Sequence, residues 1–478
     1  MTATNQLKNQ HLLWRAAFGP MAENANELSD TSSKTLYELL AKASSGTPEN
    51  FNVASNLFDG LIKGVQDVVK IESLSKEQKQ IMRKQSREDL KSLNMKWLNE
   101  MINSEAQLRE KTSLFWHGHF ACRVINIYFQ QQLLDIIRKN ALGNFGDMLR
   151  EVSKSPAMLS FLNNQQNRKQ HPNENFAREV MELFTMGRGN YSESDIKEAA
   201  RAFTGWGFNL HGEFVNRPFQ HDGGSKAFLG KTGNFDGDDI IDILLEQKQT
   251  ARFITNKIYR YFVNEKTDSD KVETLALNFY QSGYNIQRLL EDIYTSDWFY
   301  DAKNIGNKIK SPIELLVGIR RLLPMEIENE EAQLLFQRAL GQMLFYPPNV
   351  AGWPGGKNWI DSSSLMLRLS IPYVLTHANE FYVKPKDDDD TMMGSQVANE
   401  AKRGIKQIQT TVNWDSVIKA FDGIPREDLI KGITAVVLQT QSKVSKNILE
   451  KYIDKEAREK YIKTTILELM STPEYQLC

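Results

Sequence analysis

Cysteine is nearly absent: the 478 residues hold two, Cys122 and Cys478. That excludes a disulfide-built scaffold. The expected state is two unpaired thiols, one buried and one at a frayed terminus. Proline is scarce, 14 residues or about 3%, against a usual ~5%, which permits long helices. Net charge is almost nil, 59 Lys+Arg against 60 Asp+Glu. Nucleic acid normally needs a basic face, so no nucleic-acid partner is expected. Apolar runs are short, such as AVVL at 435–438, far below the ~18 residues of a membrane span. The opening MTATNQLKNQHLLWRAAFGP lacks the apolar core of a signal peptide. A cytoplasmic protein is the expectation, with the envelope or export left open. Several catalytic signatures are missing too: G-x-x-x-x-G-K-[ST], G-x-S-x-G, H-E-x-x-H and C-x-x-C do not occur. Walker A, serine hydrolase, zincin and thioredoxin chemistry therefore have no support in the sequence.

What is there is ordinary globular material, 41% hydrophobic and 25% charged, arranged at helical spacing. Leu36, Leu39 and Leu40 share a helical face. Met101, Leu108 and Phe115 recur every seven residues, which predicts one continuous face. The pattern continues through 129–150. Pro156 sits at a first-turn position. Asn173 reads as an N-cap and Gly187 as the closing glycine of one helix. Ser192 and Asp195 form a capping pattern for the next. From 206 to 238 glycines are dense and aromatics alternate with polar residues. This predicts a short β-hairpin near 206–219 followed by an irregular loop. Helices are expected again over 239–262, 271–299, 312–323 and 329–343. Ser362 reads as the cap of the helix that follows it. The fold class is mainly α: a single large multi-helix domain with a small β-hairpin and long ordered loops. Its main body is 1–383. The run Asp387–Asp390 makes 384–396 an acidic mobile loop, and 397–478 are C-terminal helices packing on the same body.

Few residues are candidates for chemistry. There are seven histidines. His117 and His119 form FWHGHF. In a helix, i and i+2 point about 200° apart, so a shared metal would need Gly118 to distort the turn. The alternative is histidines hydrogen-bonded beneath Trp116 and Phe120. In NENFAREVMELFTMG, Asn175, Glu179 and Glu182 fall at i, i+4 and i+7, a face able to supply ligands or a general base. Arg178, four from both Glu174 and Glu182, offers the alternative of plain surface ion pairs. The loop FQHDGGSKAFLG puts His221, Asp222 and Lys226 within six residues: an acid–base group, a carboxylate and a cation. PPNVAGWPGGKNW carries Trp353 and Trp359 with Asn349 and Asn358, a set suited to sugar or peptide recognition or to plugging the core.

Taken together, several segments resemble the bacterial domain-of-unknown-function 1800 family. They are HLLWRAAFGP, FWHGHF, PAMLSFLNNQQN, PNENFAREVMELFTMGRGNYSESDIKEAARAFTGW, HDGGSKAFLG, GDDIIDILL, TARFITNKIYRYFV, SPIELL, PPNVAGWPGGKNWI and STPEYQLC. They occur in order along nearly the whole chain. The resemblance implies a possible protein partner, a sulfatase-like protein of the domain-of-unknown-function 1501 family, and work at the envelope. Many members carry histidine where this chain has Phe184, which leaves Glu179 and Glu182 as that helix's candidate ligands.

Two function classes follow. In the first, an enzyme binds a divalent transition metal through His117, His119, Glu179 and Glu182. His221, Asp222 and Lys226 would act from the loop, and Asn175, Trp353 and Trp359 would contact substrate. In the second, the same polar residues are internal hydrogen-bonding networks of a non-catalytic scaffold or partner subunit. Glycan binding through the tryptophan loop is a third reading.

Overall fold

The computed structural model describes residues 4–54, 75–209, 211–329, 331–377 and 408–478. The expected acidic loop at 384–396 lies outside them. The chain is mainly helical, and the described residues hold three two-stranded antiparallel sheets. The expected hairpin pairs Trp206–Phe208 with Phe214–Asn216. Two further pairs were not legible in the pattern, because strands of three residues are too short for alternation to stand out. Lys226–Phe228 pairs with Lys231–Gly233 inside the expected irregular loop, and Met325–Ile327 pairs with the distant Thr410–Val412. No helix among the described residues is long and apolar enough to cross a membrane. Cys122 and Cys478 are both free and both buried, so the second thiol is not frayed.

Local signals fix most helix starts. Ser192 Oγ accepts from Asp195 N at 3.2 Å while Asp195 Oδ2 accepts from Ser192 N at 2.8 Å, a complete capping box. Pro156 takes the first turn of Pro156–Phe161. Breaks were less visible. Met101 ends up in the Lys76–Asn103 helix, and Leu108 and Phe115 in Gln107–His119, so the seven-residue spacing crosses a turn. The expected 239–262 helix is Gly237–Glu246 and Lys248–Phe262, divided at the extended Gln247. The expected 271–299 helix divides into Ser269–Gln281 and Ile286–Tyr294. Asp361, not Ser362, caps Ser362–Thr376.

One departure changes side-chain directions. The helix from Glu174 is α-helical only to Glu179; Val180–Thr185 is a π-helix. Met186 N reaches back five residues to Met181 O at 2.9 Å, and Thr185 Oγ1 donates to Val180 O at 2.7 Å. The wider turn breaks the i, i+4, i+7 face expected for Asn175, Glu179 and Glu182.

Apolar burial forms three large clusters that meet at the Asn5–Ala16 helix. Leu12 and Ala16 enter the cluster made by residues up to Tyr300. Trp14 enters the cluster of the C-terminal helices, and Phe18, just past the helix, enters a third. The Trp14 ring lies so close to Gly318 that a Cβ there would sit 2.3 Å from it. Long-range hydrogen bonds hold the helix in place: Gln10 Nε2 donates to Val436 O at 2.5 Å and Arg15 Nη2 to Cys478 O at 2.8 Å.

Between the clusters lies a buried ion knot. Ser311-Pro-Ile-Glu314 caps the Pro312–Leu322 helix: Glu314 Oε2 accepts from Ser311 N at 2.7 Å. The other carboxylate oxygen, Oε1, accepts from Lys111 Nζ at 2.5 Å and Lys308 Nζ at 2.7 Å. Lys111 also donates to Trp14 O at 3.1 Å. Burial alone would raise the Glu314 carboxyl, but the two ammonium groups override it and hold the group far below its ordinary range. Glu314 thus stabilises the fold above its unfolded pKa of ~4.3, and that contribution is lost as pH falls toward the folded value. Glu314→Ala leaves two buried ammonium groups without their carboxylate and should cost about 3–5 kcal/mol. Urea unfolding at pH 7 measures this, and an unchanged midpoint would show that the knot contributes nothing.

Candidate functional site

The Gln107–His119 helix carries its cluster of charges inside the protein: Glu110, Lys111 and His119 are all buried. Each is partnered. Glu110 accepts from Arg138 Nη2 at 2.9 Å and Trp97 Nε1 at 3.0 Å. The helix ends at a concave cleft of about 330 Å³. Gly118 and His119 form one edge. Lys257, Arg260 and Tyr261 come from Lys248–Phe262, and Lys308, Ser311 and Glu314 from the ion knot. Trp353 and Trp359 wall the remaining side, with Glu265 and Gln342 also at the surface of the cleft.

The tryptophan loop is fastened to the helix end by backbone. Gly352 has φ +84°, and a Cβ there would sit 2.4 Å from Gly118 O. This is the close approach that Gly352 allows; a Cβ on Gly118 would meet nothing. His117 then acts as a post. Its ring stacks on Trp353 with centroids 5.4 Å apart, and Trp97 and Phe345 meet it edge-on. Burial pushes His117 down to about 3, so it is neutral. Trp359 is buried and also lines the cleft. The burial of Trp359 and the stacking of Trp353 on His117 accord with the core-plug alternative.

His119 is held on both nitrogens. Nε2 lies 3.3 Å from Phe184 O, which makes it the N–H donor, and Nδ1 accepts from Lys257 Nζ at 3.1 Å. Lys257 also donates to Leu183 O at 3.1 Å. Burial, then the charge of Lys257, push His119 well below its ordinary value; burial and Arg260 bring Lys257 down to about 8. The third ammonium hydrogen of Lys257 has no acceptor among the described residues. Arg260, one helical turn on, is exposed and makes no side-chain hydrogen bond or ion pair among them. Beside them the Tyr261 hydroxyl is buried without a hydrogen-bond partner, and Lys308 Nζ lies 4.2 Å above the Tyr261 ring.

Glu179 and Glu182 do not join this constellation. Glu182 Oε1 accepts from Arg188 Nε at 2.9 Å and Oε2 from Tyr191 Oη at 2.9 Å. Burial would raise Glu182, but these hydrogen bonds hold it low; burial, then Glu182, raise Glu179. Arg178 pairs with Glu174 and Glu193 and not with Glu182. The two helices do meet at His119, but through the carbonyls of Leu183 and Phe184. Phe184 itself packs its ring 6.0 Å from the His119 ring. Among the described residues no group of three or more His, Cys, Asp or Glu is placed to hold a metal ion. Both His119 nitrogens are engaged, so this arrangement does not fit the expected metal.

The loop residues are engaged elsewhere. His221 Nδ1 is 2.9 Å from Thr204 O. Asp222 receives Arg201 Nε at 2.7 Å and Nη2 at 3.2 Å. Lys226 Nζ donates to Asp222 O at 2.6 Å and Gly224 O at 3.0 Å. Of these contacts only the Asp222–Arg201 pair ties this loop to the Glu193–Ala202 helix, while Lys226 braces the loop itself; none of the three residues lines the cleft. Asn175 Nδ2 donates to Leu162 O at 3.2 Å. Of the predicted residues, His119, Trp353 and Trp359 line the cleft and His117 braces it. Lys257, Arg260, Tyr261, Lys308 and Glu314 were not foreseen. The available signal was K-x-x-R-Y in TARFITNKIYRYFV, where i, i+3 and i+4 share a helical face.

Residues 11–477 match the model of a family described as "Protein of unknown function (DUF1800)". The chain belongs to this family. No curated protein and no solved structure matches it. In this DUF1800 chain the FWHGHF and PPNVAGWPGGKNW segments are therefore two halves of one contact.

Gly352→Ala must move the loop or Gly118, and strain of this kind costs about 1–3 kcal/mol. The variant should unfold at lower urea concentration and shift the tryptophan emission. Wild-type values for both would mean that the close approach is not needed.

Proposed function

We propose that the cleft is a binding site for a small anion with an apolar or planar body. One observation carries this reading. Lys257 and Arg260 present unspent hydrogen-bond donors to a cavity whose facing wall is Trp353 and Trp359. Cations in a partly desolvated cleft attract an anion more strongly than surface cations do, and indole faces hold an apolar ring or chain. Glu314 does not oppose this, because its charge is neutralised by Lys111 and Lys308 below the floor. Glu265 is the one cleft carboxylate without an ion pair among the described residues, and it limits how much negative charge a ligand can bring. Carboxylates, phosphate monoesters, uronates and sulfated sugars are the classes to try, so the reading keeps acidic glycans within reach.

The test is a thermal-shift and tryptophan-fluorescence titration with a panel of those four classes. Ligands should raise Tm and quench emission, and Arg260→Ala should weaken binding about 10–150-fold, the worth of one charge-assisted hydrogen bond. If no member of the panel changes either signal, the reading fails.

The pH dependence has a definite sign. Lys257 faces His119, Arg260 and the cleft, with Lys308 and Glu265 across it. The anion binds its protonated form, so affinity should fall as pH rises through about 8. The fall should level off where the remaining contacts alone hold the anion. Titrations from pH 6.5 to 9.5 check this, and Lys257→Arg should flatten the profile.

A further inference from the structure

We propose that Lys257 forms an imine with the carbonyl carbon of a small α-oxo acid whose carboxylate is held by Arg260. The inference rests on the anion-site reading above and names the ligand class. Lys257 and Arg260 stand at i and i+3 of Lys248–Phe262, so their side chains project side by side into one cleft. That spacing suits a ligand carrying an electrophilic carbon next to a carboxylate. An anion alone would be served by any two cations. What marks Lys257 is its partner: a neutral imidazole whose Nδ1 lone pair already accepts the ammonium proton at 3.1 Å, with Nε2 fixed on Phe184 O. A lysine becomes nucleophilic when desolvated or placed beside another cation, and both conditions hold here through burial and Arg260.

The step balances without any further reagent. The ammonium proton of Lys257 passes to His119 Nδ1, and the free amine attacks the ligand's carbonyl carbon. A C–N bond forms and one nitrogen hydrogen moves to the former carbonyl oxygen, giving a neutral carbinolamine. His119 then returns its proton to that hydroxyl as the C–O bond breaks and water leaves, and the nitrogen keeps its last hydrogen as a protonated imine. One ammonium and one ketone become one protonated imine and one water, and His119 ends neutral as it began. Trp353 and Trp359 shield the imine from bulk water on the open side.

The experiment uses the full chain with pyruvate as probe, sodium cyanoborohydride as trap and lactate as the analogue lacking a carbonyl. Intact mass should rise by one reduced pyruvyl adduct, and peptide mapping should place it on Lys257, roughly tenfold faster there than on any other lysine. Lactate should slow the labelling and bind by fluorescence. Lys257→Arg should abolish the adduct, and Arg260→Gln should raise the pyruvate concentration needed for half-maximal labelling. Mapping on the wild-type chain decides the matter even if a variant fails to fold. Labelling spread evenly over lysines, or none on Lys257 while lactate binds, overturns the imine and leaves the anion site standing. No lactate binding and no adduct overturns both.

Discussion

A single carboxylate below the cleft organises this protein. Glu314 joins two segments far apart in sequence: Lys111 on the Gln107–His119 helix, and its own stretch with Lys308 and the cap residue Ser311. Lys111 adds a third through Trp14 O. Burying an ion costs several kcal/mol, and only close pairing offsets that cost. The knot is therefore stable in one arrangement, with each donor in place, and much weaker in any other. Lys310 extends it, lying 3.6 Å over Trp14 and 3.7 Å over Tyr475. The outcome is a rigid, charged floor beneath an aromatic wall.

The cleft above that floor is shaped by a defect in a helix. Leu183 and Phe184 stand in the last turn of the Val180–Thr185 π-helix, where carbonyls have no partner within the helix. They point at Lys257 and His119. Two weakly basic groups are thus fixed against each other by backbone. π-turns are frequent at functional sites, and this one ends at the acceptors that orient the pair.

Much of this was legible in the residues. The helical class, the Trp206 hairpin and the Ser192–Asp195 capping box all follow from pattern and local chemistry. What escaped has identifiable physical causes. Helix breaks at Gln247 and near Ser104 carry no proline or glycine to announce them. The π-helix depends on a single-residue change in hydrogen-bond register that periodicity does not reveal. The charges of the Gln107–His119 helix are buried, with Lys111 paired to Glu314 and Glu110 to Arg138. Sequence spacing groups residues that are near in the chain, so His221, Asp222 and Lys226 read as a site. In the fold Asp222 pairs with Arg201, His221 meets Thr204 O, and Lys226 bonds back to its own loop. Lys257 and Glu314 stood in quoted segments, but nothing local distinguishes a lysine that meets a histidine from one that meets solvent.

The bonds from Gln10 to Val436 and from Arg15 to Cys478 span 426 and 463 residues. Loop closure over such distances is slow to be rewarded. Synthesis adds about 5–20 residues per second. The Asn5–Ala16 helix is therefore made tens of seconds before Val436 and Cys478, the residues that bond it. Its Leu12 packs with residues up to Tyr300 and finds cover earlier, whereas Trp14 belongs with the C-terminal helices. During translation the Trp14 indole lacks that cover, and the nascent chain must shield it by other means until those helices arrive.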